Sequence, residues 1–218
     1  MNKKKSLSSV TKKLIMAITG GLLVFFLLFH GAMNVVSIIS PDGYEMICEF
    51  LGANWYALVA TVILAFMVVL HFVYAFVLSY QNWRARGKQR YAVVGRQNDV
   101  SWAAKNMLVI GVIVLCGIVL HLMNFWYDMQ WAEIQGKTPA SGMEKIRSIF
   151  SESYYSIIYL IWLAALWFHL SHGISSVMQS IGWNNNVWQR RIDIIGRILA
   201  ALIVLMFVSV VVYYWLIY

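Results

Sequence analysis

His30, His71, His121 and the close pair His169/His172 are the side chains of this chain best suited to chemistry, and they fall within four different apolar stretches of membrane length. A polar ring in hydrocarbon is costly, so an intramembrane histidine is read first as functional. One histidine on each of several facing helices is the arrangement that axial ligation of haem iron requires. Cys48 and Cys116 are the only cysteines, and neither CxxC nor CxxCH occurs. Any haem would therefore be held without thioether links. Zinc is unsupported as well, because no Cys/His cluster has the short ligand spacing of a zinc site.

The elements that must hold these rings follow from composition. With 61% hydrophobic residues, 12% charged and two prolines in 218 positions, the chain has too little polar surface to cover a soluble globule. Five apolar segments, about 14–39, 55–80, 103–125, 154–178 and 194–218, are each long enough to cross a core about 30 Å thick at about 1.5 Å per residue. The expected fold is an all-α integral membrane protein, one domain over residues 1–218 built as a five-transmembrane-helix bundle. The first segment is longer than a signal-peptide h-region and no small-residue cleavage site follows it, so cleavage is not expected.

Charge orients the bundle. Lys3, Lys4, Lys5, Lys12 and Lys13 precede the first segment, Arg84, Arg86, Lys88, Arg90, Arg96 and Lys105 fill the second connection, and Arg190, Arg191 and Arg197 fill the fourth. These are fourteen of the seventeen cations, which predicts a cytoplasmic side there. The opposite connections hold Lys137, Lys145 and Arg147 with seven of the nine acids. The N-terminus is thus expected in the cytoplasm and the C-terminus outside. The net charge of +8 is a topology signal of this kind, and no basic surface interleaved with aromatics suggests nucleic-acid binding.

Depth pairs the histidines. On the outward-running first and third segments, His30 and His121 share the outer half of the membrane. On the inward-running second and fourth, His71 and His169 share the inner half. Two histidines per level, each pair from two different helices, suit two stacked bis-histidine haems. Gly117, one turn before His121, and Gly173, one turn after His169, are expected to leave room beside the ligands for a porphyrin. A single intramembrane histidine equally serves as an interhelical hydrogen-bonding group, the reading that a small transporter or structural membrane protein would imply. Four on four helices, without matching intramembrane carboxylates, favour haem over both.

The stretches LLVFFLLFHGAMN around His30, VVLHFVYAFVLSYQNWRAR around His71, GIVLHLMNFW around His121, and His169-Leu-Ser-His172-Gly173 followed by Gly182-Trp183 resemble one family. It is the single-chain dihaem cytochrome b subunit of succinate:quinone oxidoreductases, that is, of succinate dehydrogenase and fumarate reductase. The likeness covers essentially the whole chain. It implies a bacterial cytoplasmic-membrane anchor with two b-type haems, ligated by His30 and His121 and by His71 and His169. It also implies partners on the cytoplasmic face, a flavoprotein subunit with covalent FAD and an iron–sulfur subunit, and electron exchange with a quinone, expected to be menaquinone. The cytochrome b of a hydrogenase or formate dehydrogenase is the nearest rival, but its ligands cluster differently among helices.

Several residue roles come from this resemblance. Glycines four and thirteen residues after the fourth-helix ligand select His169, with Gly173 and Gly182, over His172. Arg147 resembles the arginine that serves the outer haem, although the short amphipathic stretch EKIRSIF could also present it simply as a solvated charge. Trp102, Lys12 and Lys13 are candidates beside the inner haem's propionates, the lysines having positive-inside anchoring as their plainer role. Quinone chemistry near the outer haem needs a proton-exchanging group, which directs attention to Glu49, in the apolar stretch MICEFLGANW, and then to Glu45. The likeness departs at Trp167, where some dihaem members carry a glutamate that passes protons through the bundle.

Overall fold

A computed structural model describes residues 8–52, 54–86, 102–183 and 188–218. Lys3, Lys4, Lys5, Lys88, Arg90 and Arg96 lie outside the described residues, and of Arg86 only the backbone is described. The elements are α1 (Ser9–Ile39), α2 (Pro41–Phe50), α3 (Trp55–Arg86), α4 (Trp102–Lys105), α5 (Met107–His121), a π-helical segment (Leu122–Trp131), α6 (Ala132–Ile134), α7 (Gly142–Phe150), α8 (Ser153–Ser180) and α9 (Gln189–Ile217). Five helical runs are long and apolar enough to cross a membrane. The chain is therefore a multi-pass helical membrane protein. The observed helices outrun the apolar segments because their polar end turns stay helical: α1 begins at Ser9, α3 reaches Arg86 and α9 starts at Gln189.

Helix packing defines a ring of four. α1 packs on α3 and α8, and α5 packs on α8 and α3, so that α1 faces α5 across one diagonal and α3 faces α8 across the other. α9 lies outside the ring against α8 and α1. Its seam is built from small residues: Gly196 lets Ile174 and the backbone of Ser175 come close, and Ala200 and Ile203 are fully buried. In lipid such close approach supplies the packing that hydrophobicity alone cannot. α3 has the least support, with no residue of its most apolar window buried in the bundle.

The acidic end of the bundle is closed by two short helices. Ser40 ends α1, its N–H donating to the Val36 carbonyl, and its hydroxyl caps α2 by accepting from the Gly43 N–H at 3.1 Å, while Pro41 opens the new helix. Ser141 and Glu144 stand in capping-box spacing at the start of α7, where the Ser141 hydroxyl accepts from the Glu144 N–H at 3.1 Å. Met143, Ile146, Ile149 and Phe150 are buried while Glu144 and Arg147 are exposed, so α7 is amphipathic and suits an interfacial position. Lys145 and Asp128 form an ion pair at 2.6 Å between α7 and the π segment. The Tyr214 hydroxyl donates to the Ser37 carbonyl at 2.7 Å and ties α9 to α1 in the buried interior. Burial pushes the Cys48 thiol up to about 11, so at neutral pH it stays protonated against Tyr44 and α7.

Candidate metal centre: two histidine pairs

Each diagonal of the four-helix ring is bridged by two imidazoles. His30 of α1 and His121, the last residue of α5, have ring centroids 5.9 Å apart at an interplanar angle of 78°. His71 of α3 and His169 of α8 have centroids 6.2 Å apart at 68°. Helix rise places the two pairs at different depths. His71 rests against Gly20 of α1, ten residues before His30, and His169 rests against Gly111 of α5, ten residues before His121. Ten residues at about 1.5 Å each put the levels about 15 Å apart along both helices.

The separation within each pair bears on what it could hold. A metal–imidazole bond is about 2 Å, and in a five-membered ring of C–N bonds about 1.33 Å long each nitrogen lies about 1.1 Å from the ring centre. Two axial imidazoles on one metal ion therefore have centres about 6 Å apart. Both pairs meet that separation. Among the described residues no group of three or more His, Cys, Asp or Glu converges, so a metal here would take its remaining ligands from a non-protein group. A porphyrin, with four equatorial nitrogens, is such a group. Among the described residues His169 Nδ1 is buried without a hydrogen-bond partner, an arrangement costly for a ring nitrogen that no other group engages. The donor set thus fits two bis-histidine haems.

The surroundings of the two pairs differ. Phe26 stacks on His30 at 5.3 Å, Phe207 lies 5.8 Å from the same ring, and Phe125 and Trp162 flank His121 at 5.2 and 6.1 Å. The His30/His121 pair sits in an aromatic box. Asn34 Nδ2 donates to the His30 carbonyl at 2.8 Å and lies 3.4 Å from His30 Nε2, too far to hold that lone pair firmly. At the His71/His169 pair, His71 Nδ1 lies 3.2 Å from the Thr19 hydroxyl. His172 stands about 60° further round α8, and the Asp193 carboxylate of α9 accepts a hydrogen bond from Ser175 of α8. The ring contact of His71 is with His169.

One glycine expectation is corrected. Gly117 does not leave a gap beside His121, because the Trp162 indole lies across it and donates from Nε1 to the Val114 carbonyl at 3.0 Å. Gly173 does face open space, a Cβ there meeting nothing within 4 Å. A branched side chain at Gly117 must displace the indole, and overpacking of this kind costs about 1–3 kcal/mol. Gly117→Val should therefore lower the thermal midpoint of the detergent-solubilised chain by several degrees, while Gly173→Ala should leave it unchanged. Equal midpoints for the two variants would show that Trp162 yields freely.

The remaining candidates are placed as follows. Glu45 accepts from the Ser141 hydroxyl and from the N–H groups of Gly142, at 3.2 Å, and Met143, at 2.9 Å. Its carboxylate is the anionic cap of α7. Glu49 is exposed on the last turn of α2. Arg147 holds its guanidinium 5.2 Å from the centroid of the Tyr218 ring, at the C-terminal end of α9. Trp102 packs edge-on against Phe168, the residue before His169, at 5.4 Å. Lys12 is half-buried and Lys13 exposed near the start of α1.

The sequence reading missed the π segment. Wider turns after His121 let Asn124 reach inward, donating to the Tyr159 hydroxyl at 3.2 Å. They also carry Gln130 to Thr61 of α3 and to Trp126, whose side chains donate to its Oε1 at 3.0 and 2.6 Å. π turns recur at functional sites. The one signal for it was a run of polar residues, Asn124, Asp128 and Gln130, beyond His121 in an otherwise apolar helix.

Fold and site together define a multi-pass helical membrane protein with two stacked intramembrane histidine pairs. Comparison with protein-family models, with curated proteins and with solved structures gives no match for the chain.

Proposed function

We propose that this chain is the membrane-anchor electron-transfer subunit of a succinate:quinone oxidoreductase, holding two b-type haems and passing electrons between an iron–sulfur subunit and a quinone. The observation that carries the reading is the pair of histidine bridges, one on each diagonal of the helical ring, both at the separation of axial ligands and about 15 Å apart in depth. Bound haems would supply two one-electron carriers in series across the bundle. His71 and His169 would hold the inner one and His30 and His121 the outer. Phe26, Phe125 and Trp162 would flank the outer haem's ligands, and Trp102, packed on Phe168, would stand beside the inner one. Arg147 is the proposed cation at the outer edge.

The basic end of the bundle would face the bacterial cytoplasm, where an iron–sulfur subunit and its FAD-carrying flavoprotein partner would dock beside the inner pair. Quinone, menaquinone in this reading, would react near the outer pair and exchange protons there through Glu49. Pyridine haemochrome analysis of the purified chain should give about two haems per polypeptide. A value near one would remove one of the pairs from the mechanism, and absence of a Soret band would return the histidines to helix packing.

A further inference from the structure

Thr19 and Gly20 occupy consecutive positions on α1, directly against His71 of α3. Thr19 is buried, at 4% exposure, although it carries a hydroxyl in an apolar helix. That hydroxyl donates back along its own helix, to the Ile15 carbonyl at 2.9 Å and the Met16 carbonyl at 3.1 Å. A hydroxyl has one hydrogen. With that hydrogen held by the backbone, the 3.2 Å contact to His71 Nδ1 is made with the ring nitrogen as donor and the hydroxyl oxygen as acceptor. Gly20 makes the approach possible: a Cβ there would come within 3.2 Å of His71 Cε1 and 3.6 Å of Nδ1.

We infer that the Thr19–Gly20 step of α1 is the seat that orients His71 and keeps its proton on Nδ1, leaving Nε2 as the free lone pair that ligates metal. Thr19 is thus a positioning residue of the inner pair. This rests on the dihaem reading for the identity of the metal group, but the tautomer assignment does not. An acceptor on the far nitrogen raises the basicity of a ligating imidazole and fixes its ring plane. The more basic ligand favours ferric over ferrous iron, so the contact holds the inner haem's potential down.

Thr19→Val keeps the side-chain shape and removes the acceptor, and Thr19→Ser restores it. In the purified full chain, redox titration and low-temperature EPR should find both haems in both variants. In Thr19→Val one haem should shift upward in potential and change its low-spin g-values, the other staying fixed. A tenfold loss of ferric preference would read as about 59 mV for one electron. Thr19→Ser should titrate as wild type. Unchanged potentials in Thr19→Val, equal shifts at both haems, or failure of serine to restore the wild-type values would overturn the inference. Solid-state NMR of the chain labelled with 15N-histidine separates it from the parent reading. His71, assigned by its disappearance in His71→Gln, should appear with Nδ1 protonated whether or not haem is bound. A chain that binds no haem but shows this tautomer sinks the dihaem reading alone, and His71 protonated on Nε2 sinks the seat.

Discussion

His169→Ala should remove the inner low-spin haem signal completely, while His172→Ala should leave both haems spectroscopically present. The two residues are three apart on α8, about 60° round the helix and nearly one turn apart in height. His169 faces the ring of His71 across the diagonal, and among the described residues its Nδ1 is buried without another partner. His172 lies three residues further on, and the ring that meets His71 is that of His169. Truncating His169 would remove one of the two proposed ligands, and no other Cys, His, Asp or Glu of the described residues joins His71 there to form a larger group. Optical spectra with potentiometric resolution of the two haems decide the matter. Loss of a haem in His172→Ala, with both retained in His169→Ala, would show that His172 is the ligand and that α8 turns in its loaded form.

Glu49→Gln should cut quinone-linked turnover by roughly tenfold or more, a floor set below the roughly 10²–10⁴-fold typical of an acid–base group, with both haem spectra and dye-linked succinate oxidation intact. The substitution preserves size and removes the titrating proton. Glu45 is the instructive control. Its carboxylate is committed to the α7 cap by three donors, so Glu45→Gln should act on stability, by about 0.5–2 kcal/mol in the range of lost helix caps. It should lower the thermal midpoint before it changes quinone kinetics. Normal quinone rates in Glu49→Gln would exclude that residue, and a selective kinetic loss in Glu45→Gln at unchanged midpoint would transfer the role to it.

The five long helices were legible in the sequence because lipid imposes one requirement on every spanning segment: about twenty apolar residues with the backbone satisfied internally. The sorting of histidines by depth was legible for a related reason. Position along a membrane helix is read by counting residues at a constant rise, so His30 with His121 and His71 with His169 could be matched in level before any packing was seen. The amphipathic stretch EKIRSIF likewise marked part of α7 locally.

Rotation about each helix axis was decided by tertiary structure. In helices apolar on nearly every face, the sequence gives little indication of which face turns inward. The small residues at the contacts choose it. Gly20 admits His71, Gly196 admits Ile174, and Gly117 admits the Trp162 indole where open space beside the ligand was expected. The same holds for Glu45, whose partners lie 96 to 98 residues away in sequence. Composition and helical rise determine how many helices there are and how deep each histidine sits. Which rings meet across the diagonals, and which hydroxyl meets His71, depends on side-chain fit between segments far apart in the chain, where a shift of one residue turns a helix face by about 100°.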